Sequence, residues 1–169
     1  MLIVGPKGAR KGSQTLLWQK NENGEIGIVG SQFLPSNADL DGRYLELVSK
    51  DIGKMLEGWR LAWEKAQLED YMSYYAPNAT QSKRVGLKSI RRNKELLWAN
   101  VKPEYVQFSG MRFSPDKQGG IRVDMNQSYA DSSGKKDKGL KTLILKYDGA
   151  RWLIQREDWV AEKPVAPKK

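Results

Sequence analysis

Residues 45–66 read LELVSKDIGKMLEGWRLAWEKA, and the fold turns on this stretch. Leu45, Val48, Ile52, Met55, Leu56, Trp59, Ala62, Trp63 and Ala66 recur at three- and four-residue spacing. That spacing lays one apolar stripe along a helix of about six turns. Upstream, Asp39 or Asp41 can cap the helix by offering oxygen to the unpaired N–H groups of its first turn. A stripe of this length has to be covered by a second apolar layer.

The chain beyond it supplies that layer. Glu69–Tyr75 reads as a shorter helix that stops near Pro77, and Gly86–Trp98 as a third, with Leu87, Ile90, Leu97 and Trp98 turned inward. Lys88, Arg91, Arg92 and Lys94 fall on its other face, and Lys83 and Arg84 lie just before it. After Lys102, the stretches Tyr105–Phe113, Ile121–Ala130, Gly139–Tyr147 and Arg151–Val160 alternate apolar and polar residues between clusters of Gly, Pro, Asp and Ser, which is strand patterning. Three helices followed by four meandering strands make an α+β domain over residues 38–162. The expected form is a cone, with three N-terminal helices packed on a curved antiparallel sheet. Residues 163–169, with two Pro and three Lys, read as a flexible tail.

Residues 1–37 read as an extra N-terminal β-hairpin, Thr15–Lys20 and Glu25–Phe33 around Asn23-Gly24, closed off by Pro35-Ser36-Asn37. The hairpin resembles the end of the chain. Lys11-Gly12-Ser13-Gln14-Thr15-Leu16-Leu17 aligns with Lys138-Gly139-Leu140-Lys141-Thr142-Leu143-Ile144, Asn23-Gly24 with Asp148-Gly149, Ile28 with Ile154, and Phe33 with Trp159. Either two hairpins share common turn chemistry, or residues 1–37 close a preceding repeat of the domain in a tandem array.

At 169 residues the chain suffices for one full core. A formal charge of +9 favours anionic partners, although a solvated basic surface is its simplest meaning. Cys and His are both absent, which removes thiol chemistry, disulfides, imidazole acid–base catalysis and the usual zinc sites. No cofactor or metal is expected. No apolar run reaches the roughly 20 residues of a membrane span. The start, Met1-Leu2-Ile3-Val4-Gly5-Pro6, lacks the length and the basic lead of a signal peptide. A complete chain would be cytoplasmic; a piece of a larger exported protein would lie in the periplasm or cell envelope.

Met125-Asn126-Gln127-Ser128-Tyr129, the run Asp137–Leu143, the run Asp148–Trp159, Trp59–Trp63 and Tyr71–Tyr75 together resemble the nuclear transport factor 2-like (SnoaL-like) superfamily. The likeness is strongest to the copies appended to bacterial L,D-transpeptidases and L,D-carboxypeptidases. Those enzymes carry a Cys nucleophile and a His on a separate domain, and this chain has neither. The resemblance therefore implies an accessory role toward a small-molecule or peptidoglycan-derived ligand, with a homodimer through the open sheet face.

A fold of this kind encloses a pocket between helices and sheet, with apolar walls and a few polar groups. Strand parity nominates those groups. With Asp148-Gly149-Ala150 as a three-residue turn, Leu145 faces Leu153 and Lys141 faces Glu157, while Met125, Gln127 and Tyr129 share one face. Gln127, Tyr129, Lys141 and Glu157 among Trp63 and Tyr75 would suit a zwitterionic or amide-bearing ligand, with Lys141 on its carboxylate. The competing structural reading makes Lys141–Glu157 a cross-strand ion pair and the aromatics core.

Two other functions enter. A small pocket enzyme of the SnoaL or ketosteroid isomerase type would need a tuned base, and parity leaves only Glu157 beside Tyr129 and Lys141. A nucleic-acid module would use the basic set Lys83, Arg84, Lys88, Arg91, Arg92 and Lys94, yet no recognised motif accompanies it. The expectation is a non-catalytic ligand- or partner-binding domain.

Overall fold

The computed structural model describes residues 2–5, 8–35, 42–116 and 119–162, with side chains described over 14–32, 48–116 and 119–162. The chain divides into two compact units, residues 1–44 and 45–169.

The first unit contains β1 (Leu2–Gly5), β2 (Gly8–Lys20) and β3 (Ile26–Pro35), hydrogen-bonded in that order as an antiparallel sheet. The turn between β2 and β3 is organised by Asn21, whose side-chain oxygen accepts from the backbone N–H groups of Asn23 and Glu25. The pairing runs from Lys20↔Ile26 to Gly12↔Pro35 and slips by one residue between Leu17 and Trp18.

The second unit is built on α1 (Gly42–Glu64), α2 (Leu68–Ser73), β4 (Tyr75–Gln81), β5 (Arg84–Val85), α3 (Leu87–Asn100), β6 (Pro103–Pro115), β7 (Ile121–Asp131), β8 (Lys136–Tyr147) and β9 (Trp152–Ala161). The apolar stripe of α1 is real: Val48, Ile52, Leu56, Trp59, Ala62 and Trp63 are buried. Leu45 lies outside the residues with described side chains. The helix also carries Gly58 where a Cβ would meet the Tyr74 hydroxyl at 2.2 Å, so a side chain there would displace the Tyr74 ring. Trp59 stacks on Phe108 (centroids 5.4 Å apart) and on Tyr71 (5.8 Å), joining α1 to β6 and α2.

The sheet is six-stranded, in the order β5-β4-β9-β8-β7-β6. It is mixed rather than purely antiparallel, because β4 pairs parallel with β9. Strands β4 and β5 replace what the sequence reads as a loop after the second helix. Their signal is obscured by Pro77 and Asn78, which point outward and interrupt the alternation. Tyr75 consequently opens β4 instead of ending a helix, and the three helices are not contiguous: two strands separate α2 from α3.

On β7 every second residue is buried, from Ile121, Val123 and Met125 to Gln127, Tyr129 and Asp131. One face of one strand thus passes from an apolar floor to a polar wall. Lys141, Leu143 and Leu145 of β8 lie beside it.

The β8–β9 register departs from the expected three-residue turn in two steps. The turn has four residues, Asp148–Arg151, so Tyr147 pairs with Trp152 and Leu145 with Ile154. A bulge at Gln155 then adds a second residue, which sets Leu143 opposite Glu157 and Lys141 opposite Trp159. A shift of one residue would have turned Glu157 to the outer face, but a shift of two restores its parity.

The same device recurs in the first unit. The β2–β3 slip between Leu17 and Trp18 stands 127 positions before the β8–β9 slip between Ile144 and Leu145. Gly12 and Gly139, separated by the same offset, both begin their pairing opposite the tenth residue of the returning strand. The two hairpins therefore share their register and bulge, and differ by one residue in the turn.

Candidate functional site

Between α3 and the inner face of the sheet lies a cleft of about 370 Å³. Of the residues nominated from sequence, Trp63, Gln127, Tyr129, Lys141 and Glu157 line it. Tyr75 does not; it sits behind Glu157 as a supporting group.

Glu157 is buried and saturated with donors. The Lys141 ammonium and the Tyr75 hydroxyl (2.5 Å) both donate to its carboxylate, as does the Gln81 side-chain amide (2.8 Å). Because Tyr75 spends its proton on Glu157, Tyr71 must be the donor in the 2.6 Å contact between the two hydroxyls. Burial alone would raise the Glu157 carboxyl, but the Lys141 and Lys94 charges outweigh it and hold the group well below the usual carboxylate range. Burial, followed by the Glu157 charge, pushes the Tyr71 and Tyr75 hydroxyls well above their ordinary values, so both remain neutral donors.

Lys94 is the residue that sequence reasoning misplaced. Assigned by its charge to the outward face of the third helix, it is only 5 % exposed. Ile90, Lys94 and Trp98 follow each other at four-residue intervals, and all three are buried against the core. That spacing is present in the sequence, but Leu97 competes there for the inward place; Leu97 is 40 % exposed. The Lys94 ammonium lies over the rings of Trp63 (4.4 Å), Tyr71 (4.8 Å) and Trp98 (5.3 Å). The Lys141 ammonium lies over Trp63 as well, at 5.0 Å, so two cations share one indole. Burial pulls the Lys94 ammonium down from 10.5 to about 7; the Glu157 charge opposes this, while Lys141 and Arg84 add to it.

The rest of the basic set disperses. Arg91 makes a bidentate pair with Glu69, and Arg84 lines the cleft. Lys83, Lys88 and Arg92 are exposed.

The cleft also holds polar atoms that other protein groups leave unsatisfied. Gln127 Oε1 and the indole N–H groups of Trp63 and Trp159 are buried without a hydrogen-bond partner. So is the Tyr129 hydroxyl, which burial and the adjacent Asp131 carboxylate shift upward although the two do not meet in hydrogen-bonding geometry. An acceptor, two donors and a hydroxyl thus belong to residues that line one cleft. Buried polar groups in folded proteins are paired in the great majority of cases; the indole N–H groups of Trp59 and Trp98, outside the cleft lining, are unpaired as well.

No curated protein sequence matches the chain. Among solved structures it is similar to Bd1075 of Bdellovibrio bacteriovorus, with 23% identity, TM-score 0.60, and coverage of 73% of this chain but 45% of that one. It is also similar to a variant of Pgp2, a helical cell shape determining protein of Campylobacter jejuni, at 18% identity, TM-score 0.53, and coverage of 61% and 37%. A putative dehydratase of the NTF2-like family from Streptomyces avermitilis shares 14% identity, with TM-score 0.59 and coverage of 70% and 98%. At these identities the likeness concerns the fold alone. The chain spans less than half the length of Bd1075 and of Pgp2. Residues 51–158 match the family model described as the Cds6 C-terminal NTF2-like domain, from the α1 stripe to the last residue before Trp159. The chain therefore belongs to the Cds6 C-terminal NTF2-like domain family.

Proposed function

We propose that the domain is a non-catalytic binding module whose cleft takes an amide-bearing, peptide-like ligand, and that it serves as an accessory unit of a protein that modifies the cell wall. The observation that carries this reading is the set of four unpaired buried polar atoms on Gln127, Tyr129, Trp63 and Trp159. Similarity to Pgp2, a cell shape determining protein, supports the cell-wall setting, as does the resemblance to domains appended to L,D-transpeptidases. Glu157 is poorly suited to act as a general base in this cleft. Three donors keep it ionised, and a base held so far below neutrality is a weak proton acceptor.

The test is calorimetry with soluble muropeptides on the native domain and on Gln127→Leu. An unpaired buried acceptor costs about 1–3 kcal/mol, so the variant is expected to unfold no earlier than the parent while binding at least tenfold more weakly. A variant that binds as well as the parent would overturn the reading of the cleft. A parent that ignores muropeptides would overturn the cell-wall assignment.

The shared register and bulge of the two hairpins support a second proposal, that β2–β3 is the closing hairpin of another domain of the same kind. Leu16, Trp18 and Ile28 are exposed at the positions where β8–β9 buries Leu143, Leu145 and Ile154. Mass spectrometry of the protein isolated from its source should find a polypeptide longer by at least one domain; a native chain of this length would refute it.

A further inference from the structure

The cleft lining contains two buried ammonium groups, Lys94 and Lys141, and two buried carboxylates, Glu157 and Asp131. Lys141 and Glu157 neutralise each other through a direct ion pair. Lys94 has no such partner among the described residues: its ammonium is held by three aromatic rings and by no hydrogen bond. We propose that Lys94, rather than Lys141, receives the ligand, and that the group it receives is a single carboxylate. This deepens the reading of the cleft as a binding site and rests on it.

The surrounding charges fit one added negative charge. Lys94 feels the charges of Glu157 of β9, Lys141 of β8 and Arg84 of β5, and its ammonium lies over the Tyr71 ring of α2, while Tyr129 of β7 lines the same cleft. Asp137 is paired with Lys135 (2.9 Å), and the buried Asp131 carboxylate accepts from the Ser133 hydroxyl and backbone N–H. These acids are thus already engaged, and Lys94 is the buried cation without an acid of its own. An aromatic cage stabilises an ammonium but supplies no counter-charge. Burial pulls the Lys94 ammonium down to about 7. A carboxylate placed beside it favours the charged form. Lys94 is the buried cation of the lining without a salt bridge among the described residues, and one such cation accommodates one carboxylate.

The experiment follows the lysine 13Cε resonances of the native chain between pH 5.5 and 9.5, in chloride, acetate or N-acetylglycine at matched ionic strength. N-acetylglycinamide serves as the uncharged control. Both acids should raise the Lys94 midpoint by about one unit or more at saturation, and the amide should leave it in place. Acid affinity should be level below pH 6 and fall about tenfold per pH unit above 7, as the competent protonated fraction shrinks. Lys94→Arg should bind the acids with no pH slope, and Lys94→Met should bind them at least tenfold more weakly while keeping its contact with the amide. Acetate acting as strongly as N-acetylglycine would mark a receptor for free small acids; a stronger response to N-acetylglycine would mark one for the carboxyl terminus of a peptide. If the acids perturb the backbone amides of Gln127 and Tyr129 but leave the Lys94 midpoint unmoved, the role of Lys94 is overturned and the cleft stands. If no probe perturbs those amides, both fall.

Discussion

Lys94→Met is expected to stabilise the domain by about 2–4 kcal/mol at pH 6 and by little at pH 10. In the folded protein burial brings the Lys94 ammonium down to about 7, while the unfolded chain keeps the ordinary value near 10.5. Between those limits the unfolded state binds more protons. The native protein's stability therefore climbs with pH across this window, and the full penalty of the buried cation is felt below it. A difference of this size corresponds to roughly 5 kcal/mol at most, part of which the three aromatic rings return. Methionine keeps the stem that packs against Trp63 and Trp98 and removes the charge. Urea unfolding of both proteins at pH 6, 8 and 10 checks the prediction. Comparing them pairwise cancels the tyrosines, which titrate in the same range. Converging curves are expected; a constant gap, or a less stable variant, would show that Lys94 does not carry this penalty. A cation kept at the expense of stability is what a binding group requires, and a purely structural position would favour the methionine.

The opposite sign is expected at Lys141. Lys141→Met should lower stability by about 3–5 kcal/mol at pH 7, because it leaves Glu157 ionised and buried with its direct counter-ion gone. Replacing both partners, Lys141→Met with Glu157→Leu, should recover most of that loss, since a buried pair as a whole adds little over apolar residues of similar size. Glu157 also sets a pH signature. Its folded carboxyl lies below its unfolded value, so its contribution is present above about pH 4.5 and is lost as pH falls through the folded value. The gap between parent and Lys141→Met should accordingly narrow toward pH 4. A double-mutant cycle by chemical denaturation at pH 7 and pH 4 measures both effects. It also separates the two lysines: loss of binding in a Lys141 variant would report a damaged fold, whereas Lys94→Met tests binding in an intact one.

Much of the site is legible in the sequence. Period-two alternation along Met125, Gln127 and Tyr129 places them on one face, and they are buried together. Parity pairs Lys141 with Glu157, and the two do form an ion pair, although the register that suggests it is off by two residues. The pairing survives because two successive single-residue shifts, a longer turn and a bulge at Gln155, cancel in parity. Nothing in the local sequence announces that bulge.

Strands β4 and β5 and the place of Lys94 are not legible, for a different reason. A short strand interrupted by Pro77 and Asn78 has no period to read, and it is held as a strand by its parallel partner β9, about 75 residues away in the chain. Lys94 looks like a solvated residue because charge is the strongest outward signal on a helix. Its inward turn depends on Trp63 of α1 and Tyr71 of α2 meeting α3 at that point. Backbone periodicity is local, so the chain's own pattern was enough for the helix stripe, the alternating strands and the family. Burial of charge is a property of what packs over a residue, so only the assembled fold decided that Lys94 is buried, and that aromatic rings rather than an acid surround it.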